Sequence, residues 1–235
     1  MTQTLPKLWA WPLFKQRFPA GKALMFGASD SEVNARSILE LAPFGISLDD
    51  IIFLTDAVTV TDLVSPTIGF QYLRPGYAHP VIAETFDQLA QRAKGTAPVS
   101  GRIFVSRKLT KRSCVNAQGL EDLFRQYGFD VIYPEDFPFD VQISIFRNAE
   151  VVAGFCGSGM FNLVHSSRAK AVILLGSASY RATNEYFFAQ LAHIPDIYYL
   201  LSPMPPKSGM RTDWRFDWDT LVAPLVTLLK EYGVK

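Results

Sequence analysis

Short apolar runs alternate with amphipathic segments along this chain, most regularly in its second half. The apolar runs predict strands at 102–106, 130–133, 151–153, 171–175 and 197–201. Apolar residues at helical spacing predict the intervening and closing helices, at 118–127, 140–148, 159–166, 184–193 and 217–232. This alternation is typical of an α/β fold in which helices cover both faces of a parallel sheet.

The first half of the chain shows the same alternation less regularly. The elements predicted there are strands at 22–26, 51–54 and 58–64 and helices at 34–41 and 81–94. The Val-Thr-Val-Thr pattern within 58–64 suits a half-exposed edge strand, and the segment 65–80, rich in proline and glycine, is predicted as a loop. The segment 95–101 is the best linker candidate, so we predict two domains, residues 1–98 and 99–235.

Composition narrows the classes of function. The 235 residues are 49% hydrophobic, enough for a sizeable core, and a net charge of +1 gives no argument for a nucleic-acid partner. The two cysteines lie far apart in the sequence, which suits a reducing, intracellular setting. Neither they nor the three scattered histidines show metal-ligand spacing. With no signal-peptide pattern and no apolar run of transmembrane length, we predict a cytoplasmic protein. The aromatic and basic segment 8–18 either packs against the protein or contacts the inner face of the membrane.

The most informative chemistry lies in the segment 150–162. An apolar strand runs into Gly154 and then into Gly157-Ser158-Gly159, and a predicted helix begins at once. This arrangement presents backbone N–H groups at a helix N-terminus, which suits a phosphate. The segment is neither a GxGxxG motif nor a P-loop, and a tight turn without a ligand is the alternative. Arg107 follows another strand, and ligands of parallel sheets bind at strand carboxyl ends.

Several motifs occur along the second half in a fixed order. They are IFVSR at 103–107, RSCVN at 112–116, GF at 128–129, PE at 134–135, Gln142, Ala149 and GFCGSGMFN at 154–162. This series resembles glycosyltransferase family 61, clearly over roughly residues 100–200 and loosely before them. The resemblance implies a GT-B architecture of two Rossmann-like parts, the N-terminal one reduced and on the acceptor side. It also implies inverting, metal-independent transfer from a nucleotide sugar, as in capsular polysaccharide biosynthesis.

The resemblance also implies which residues bind the donor. Carried over by position, they are Arg107, Arg112 and Asn116 near the donor, and Gly157, Ser158, Gly159 and Asn162 in the turn that faces its phosphates. Glu135 either bonds the ribose or base or begins a helix. Two positions depart from the family: Cys156 stands where a histidine is common, and Leu174-Leu175 where a glutamate is common. No cofactor or metal is implied beyond the nucleotide sugar as co-substrate.

An inverting transfer needs a general base, and Asp30, after a predicted strand, is the first candidate. Its alternative role is to cap the following helix. Glu32 and Asp56 are placed similarly. The sequence thus predicts a glycosyltransferase acting on a glycan or glycoconjugate. The alternative is a non-catalytic nucleotide- or glycan-binding protein derived from such an enzyme, and a third hypothesis is another Rossmann-like phosphoester enzyme.

Overall fold

The computed structural model describes residues 5–26, 44–73, 75–96, 99–108, 112–205 and 212–233. The chain forms two compact units, Met1–Arg92 and Ala93–Lys235. Each unit has its own core.

The first unit pairs two short parallel strands, β1 (Ala23–Phe26) and β2 (Ile51–Leu54). Its other elements are a 3₁₀ turn at Leu5–Ala10, helix α1 (Trp11–Arg17), a 3₁₀ turn at Leu48–Asp50, an antiparallel pair β3 (Phe70–Gln71) and β4 (Tyr77–Ala78), and helix α2 (Val81–Arg92). The predictions at 22–26, 51–54 and 81–94 are therefore confirmed.

Two predictions for this unit are wrong, and one lies outside the described residues. The segment 58–64 forms no strand; its valines stay in water, with Val58 56% and Val64 54% exposed. Alternation of apolar and polar residues produces a strand only where another strand or an apolar face receives it. The predicted loop 65–80 contains the pair β3–β4. The predicted helix 34–41 falls among the residues that the structure does not describe.

The second unit is built on a five-stranded parallel sheet. Its strands are β5 (Arg102–Val105), β6 (Asp130–Ile132), β7 (Val151–Phe155), β8 (Ala171–Ser177) and β9 (Asp196–Ser202), in the order β6-β5-β7-β8-β9. The helices are α3 (Ala117–Gln126), α4 (Phe139–Asn148), α5 (Thr183–Leu191) and α6 (Trp218–Tyr232), with 3₁₀ turns at Pro134–Asp136 and Ser158–His165. The predicted parallel sheet is confirmed.

Burial shows that both faces of this sheet are covered. One core cluster joins alternate residues of the central strands, including Phe104, Ala153 and Ile173, to apolar side chains of α3 and α6. The residues of opposite parity, such as Val152 and Val172, are equally inaccessible to water. Every position of β7 and β8 is buried, which explains why these two strands are continuous apolar runs.

One element differs in type from its prediction. The segment predicted as an amphipathic helix at 159–166 is a 3₁₀ helix at Ser158–His165. Most of its side chains are buried rather than only one stripe of them, so the 3.6-residue period that distinguishes an α-helix carries little weight here. Within the described part of the chain, no helix is both long enough and apolar enough to cross a bilayer.

The strand order positions a functional site. From β5 the chain moves outward to β6 and then returns to β7 on the other side of β5, so the sheet changes winding direction between β5 and β7. The two strands are hydrogen-bonded neighbours, with Val105 opposite Gly154. In open parallel sheets, ligands bind outside the carboxyl ends of strands at such a switch point.

Candidate functional site

The two segments that the sequence singled out meet at this switch point. Arg107 follows β5, and Gly157 follows β7. A narrow cleft lies between the strand ends and is lined by Val105, Ser106, Arg107, Pro134, Glu135, Phe155, Ser158 and Gly159. The structure therefore brings together four of the sequence-predicted donor residues at one cleft: Arg107, Glu135, Ser158 and Gly159.

Arg107 packs directly on the glycine turn. Its Nη2 donates to the carbonyl of Cys156 at 3.4 Å. A Cβ placed on Gly157 would lie 2.1 Å from the same Nη2, a distance that no real side chain could tolerate. Burial, and then the nearby Arg112 charge, lower the pKa of Arg107. An arginine side chain keeps its positive charge in proteins, so this guanidinium is a cation in a partly desolvated position, where an anion would interact with it strongly.

Arg112 also lies close to this turn. Its Nη2 would lie 3.6 Å from a Cβ on Gly157, and its Cζ stands 4.8 Å from the centre of the Tyr180 ring. Within the described residues Arg112 forms no salt bridge. We refer to Arg107, Arg112 and Gly157 as the two-arginine site. Two adjacent cations repel one another, and an anion beside them would relieve that repulsion.

Gly157 has a backbone conformation that only glycine adopts readily, with φ at 147° and ψ at −169°. This conformation turns the chain from β7 into the 3₁₀ helix. The first hydrogen bond of that turn runs from Met160 N–H to the Gly157 carbonyl at 2.9 Å, so the N–H groups of Ser158 and Gly159 precede it. The turn thus offers backbone donors beside two guanidinium groups.

Glu185 lies under this turn and was missed by the sequence analysis. It sits in the first turn of α5 and is completely buried. The hydroxyl of Tyr180 donates to its Oε2 at 3.4 Å, and the backbone N–H of Gly157 is close enough to favour the ionised carboxylate. Burial raises the pKa of this carboxyl. A sequence signal existed, since Glu185 shares one face of the helix with the buried Phe188 and Ala189.

A second buried carboxylate fixes the start of the loop after β5. Glu121 of α3 accepts a hydrogen bond from Ser106 Oγ at 2.6 Å and one from the Tyr133 hydroxyl at 2.9 Å. Arg125 completes its shell at 3.3 Å. The residue preceding Arg107 is therefore anchored, which limits the positions that the Arg107 backbone can take. Sequence reasoning missed this network because Glu121 looks like an ordinary exposed helix residue.

Two predicted donor residues are engaged inside the unit. Asn116 accepts from the Phe216 N–H at 2.8 Å and donates to the Phe216 carbonyl at 3.0 Å. It occupies the N-cap position of α3 without a side-chain capping bond. Asn162 is buried and donates to Gln142 Oε1 at 3.0 Å. Gln142 is half-buried and also donates to two backbone carbonyls. Donor contacts by Asn116 and Asn162 stay predictions.

The other candidates differ in how they face the cleft. Glu135 is exposed at its edge, in the first turn of a 3₁₀ helix, and accepts the Lys108 N–H at 3.3 Å. Cys156 is buried, and burial raises the pKa of its thiol far above the physiological range, so it is not poised as a nucleophile. Asp30 and Glu32 lie outside the described residues. Asp56 is exposed after β2, where Thr55 Oγ1 donates to it.

A comparison with known protein families covers the part of the chain that contains this site. Residues 1–174 match the model of the family described as Glycosyltransferase 61. The matched range contains the first unit and the whole two-arginine site, and it ends within β8. Tyr180 and Glu185 lie beyond it. Among curated proteins, no match to this chain was found.

Proposed function

The chain belongs to glycosyltransferase family 61, and from that membership we propose that it is an inverting, metal-independent enzyme that uses a nucleotide-sugar donor. The acceptor is a glycan or glycoconjugate in polysaccharide biosynthesis, and the reaction takes place in the cytoplasm or at the inner face of the membrane. The observation that carries the proposal is the convergence of Arg107 and Arg112 on the Gly157 turn at the sheet's switch point.

The leaving group of such a transfer is a nucleoside diphosphate. Negative charge builds on its phosphate oxygens as the glycosidic bond breaks, so groups aimed at those oxygens stabilise the transition state more than the ground state. Arg107 and Arg112 supply two positive charges at the turn, and the N–H groups of Ser158 and Gly159 add hydrogen-bond donors. In this proposal they take the place that a divalent cation holds in metal-dependent transferases.

The donor's nucleoside and the acceptor have their own candidate contacts. Glu135, on the edge of the cleft, is placed to accept a hydroxyl of the ribose or an N–H of the base. The first unit is the proposed acceptor side, with Asp30 as the candidate base that removes the acceptor hydroxyl proton.

One observation favours a second candidate function, a non-catalytic nucleotide- or glycan-binding protein. Cys156 replaces a common family histidine, and its buried, protonated thiol offers no acid or base at physiological pH. Leu174 and Leu175, which replace a common glutamate, are fully buried in β8. The binding groups at the two-arginine site are unaffected by these departures, so ligand binding survives in both candidates.

A two-stage experiment separates the candidates. Thermal shift with a panel of nucleoside diphosphates and nucleotide sugars should identify the nucleobase that the protein prefers. Binding is readily detected, because a ligand at a hundred times its Kd stabilises the folded protein by about 2.7 kcal/mol. The selected donor is then incubated with oligosaccharide acceptors, and proton NMR follows the new glycosidic bond and its anomeric configuration. Transfer with inversion supports the proposal. If the donor binds but is neither transferred nor hydrolysed, the result supports the non-catalytic candidate. If no ligand of the panel stabilises the protein, the result contradicts both candidates.

A further inference from the structure

We propose that Glu185 is a further positioning residue of the donor site, and that its carboxylate takes up one proton from solvent when a phosphate-bearing ligand binds beside Arg107 and Arg112. The inference rests on the proposed function, because it takes the two-arginine site to be where the diphosphate binds. It concerns a residue of α5 that has no place in the cleft lining itself.

The contacts of Glu185 tie it to both halves of the site. The backbone N–H of Gly157, in the turn that Arg107 packs against, favours the ionised form of its carboxyl group. That carboxyl group also accepts the hydroxyl of Tyr180, whose ring lies under the guanidinium of Arg112. One carboxyl group is thus coupled electrostatically to the glycine turn, and to Arg112 through the ring of Tyr180.

The surroundings leave the ionised carboxylate incompletely stabilised. Glu185 is fully buried, and its Oε1 has no hydrogen-bond partner among the residues that the structure describes. A buried carboxylate oxygen without a donor is unfavourable, and protonation removes most of that penalty. Among the described residues, the titratable groups that face it are Tyr180, Cys156, Tyr199 and Arg112. Burial raises the pKa of the two tyrosines and the cysteine, so these three groups are neutral near pH 7.

Arg112 is accordingly the cation that favours the ionised form of Glu185. Arg107 interacts electrostatically with Cys156, which also interacts with Glu185. An anion bound to the arginines cancels that influence and brings its own negative charge near the carboxylate. Both effects raise the affinity of Glu185 for a proton. By reciprocal linkage, the ligand binds better to the protonated protein, so its affinity increases as the pH falls and decreases as the pH rises.

Calorimetric titration tests this with probes of constant charge. UDP-glucose and GDP-mannose are diphosphate diesters, and sulfate is a dianion, so none of the three titrates between about pH 6 and pH 8.5. Titration in buffers of different ionisation enthalpy should show uptake of up to one proton per ligand bound. The Kd of the wild type should fall about threefold to tenfold from the higher to the lower pH.

The Glu185→Gln variant removes the charge but keeps an oxygen that can accept the hydrogen bond from the Tyr180 hydroxyl. It should bind equally at both pH values, with the affinity that the wild type shows at the lower one. Glu121→Gln is the matched control, since Glu121 is also a buried carboxylate of this unit but bonds Ser106 and Tyr133 instead. This control should keep the wild-type pH dependence.

Each outcome decides between the inference and its premise. Binding of any probe by the wild type without proton uptake overturns the role of Glu185 and leaves the proposed function standing. An unchanged pH dependence in Glu185→Gln overturns it equally. If no probe binds, or if Arg112→Ala binds as tightly as the wild type, the proposed donor site fails and the inference fails with it. The proton-uptake measurement needs only the wild type, so it decides the question even if Glu185→Gln does not fold.

Discussion

Replacing Gly157 with alanine should lower both the stability of the folded protein and the ligand affinity of the site. The two losses can be measured separately. The backbone there lies in a region that is essentially restricted to glycine, and an alanine costs about 1–3 kcal/mol of stability. Its Cβ would also stand 2.1 Å from Arg107 Nη2. Because Nη2 is the end of a flexible side chain, Arg107 moves away from the turn. If Arg107 contacts a donor phosphate, about 1.5–3 kcal/mol of binding energy is lost with that contact.

Two assays measure the two effects. Thermal unfolding should show a melting temperature lowered by about 2–4 °C for each kcal/mol lost. Calorimetry should show nucleoside diphosphate affinity weakened about tenfold to a hundredfold. Gly45→Ala is the control: Gly45 also has positive φ, at 72°, but no atom of the described residues lies within 4 Å of its added Cβ. It should lose stability and keep nucleotide affinity. A Gly157→Ala variant that binds nucleotide as tightly as the wild type would refute the reasoning.

Two further predictions follow from the same structure. Asn116→Ala should lower the free energy of unfolding by about 1–3 kcal/mol, because it leaves the Phe216 backbone groups unpaired. Chemical denaturation measures this loss. The control Asn148→Ala removes one exposed contact with Ser144 and should change stability far less. Transfer activity should survive EDTA, since the arginines and backbone N–H groups offset the leaving-group charge, whereas complete loss that Mn²⁺ or Mg²⁺ restores would assign that task to a metal ion.

The sequence predicted the second unit better than the first for a physical reason. The central strands are buried on both faces, so they appear as continuous apolar runs, which are typical of a parallel sheet. The run 58–64 has strand-forming residues but pairs with no strand in the described part of the chain, and propensity alone did not decide its structure. The 3₁₀ helix at Ser158–His165 is buried on most sides, so periodicity could not distinguish it from an α-helix.

Only those residues of the candidate site that come directly after a strand could be predicted from the sequence. Arg107 and Gly157 each come directly after a strand, and their meeting requires only that the two strands be neighbours. Glu185 belongs to α5, which follows β8 in the chain. No local sequence pattern indicates which turn its side chain faces. Asn116 was assigned to the donor by its place in a motif, yet its amide engages the backbone of Phe216, one hundred residues away. Such long-range side-chain partners depend on tertiary packing.

Titration of nucleoside diphosphates into the wild type, Arg107→Ala and Arg107→Lys tests the central claim most directly. If Arg107 binds a donor phosphate, the alanine variant should lose about tenfold to a hundredfold in affinity with little change in its unliganded melting temperature. The lysine variant should recover only part of that loss if the contact is bidentate, because an ammonium group cannot reproduce the planar fork of arginine. Equal affinities in all three proteins would contradict the claim and remove Arg107 from the donor site.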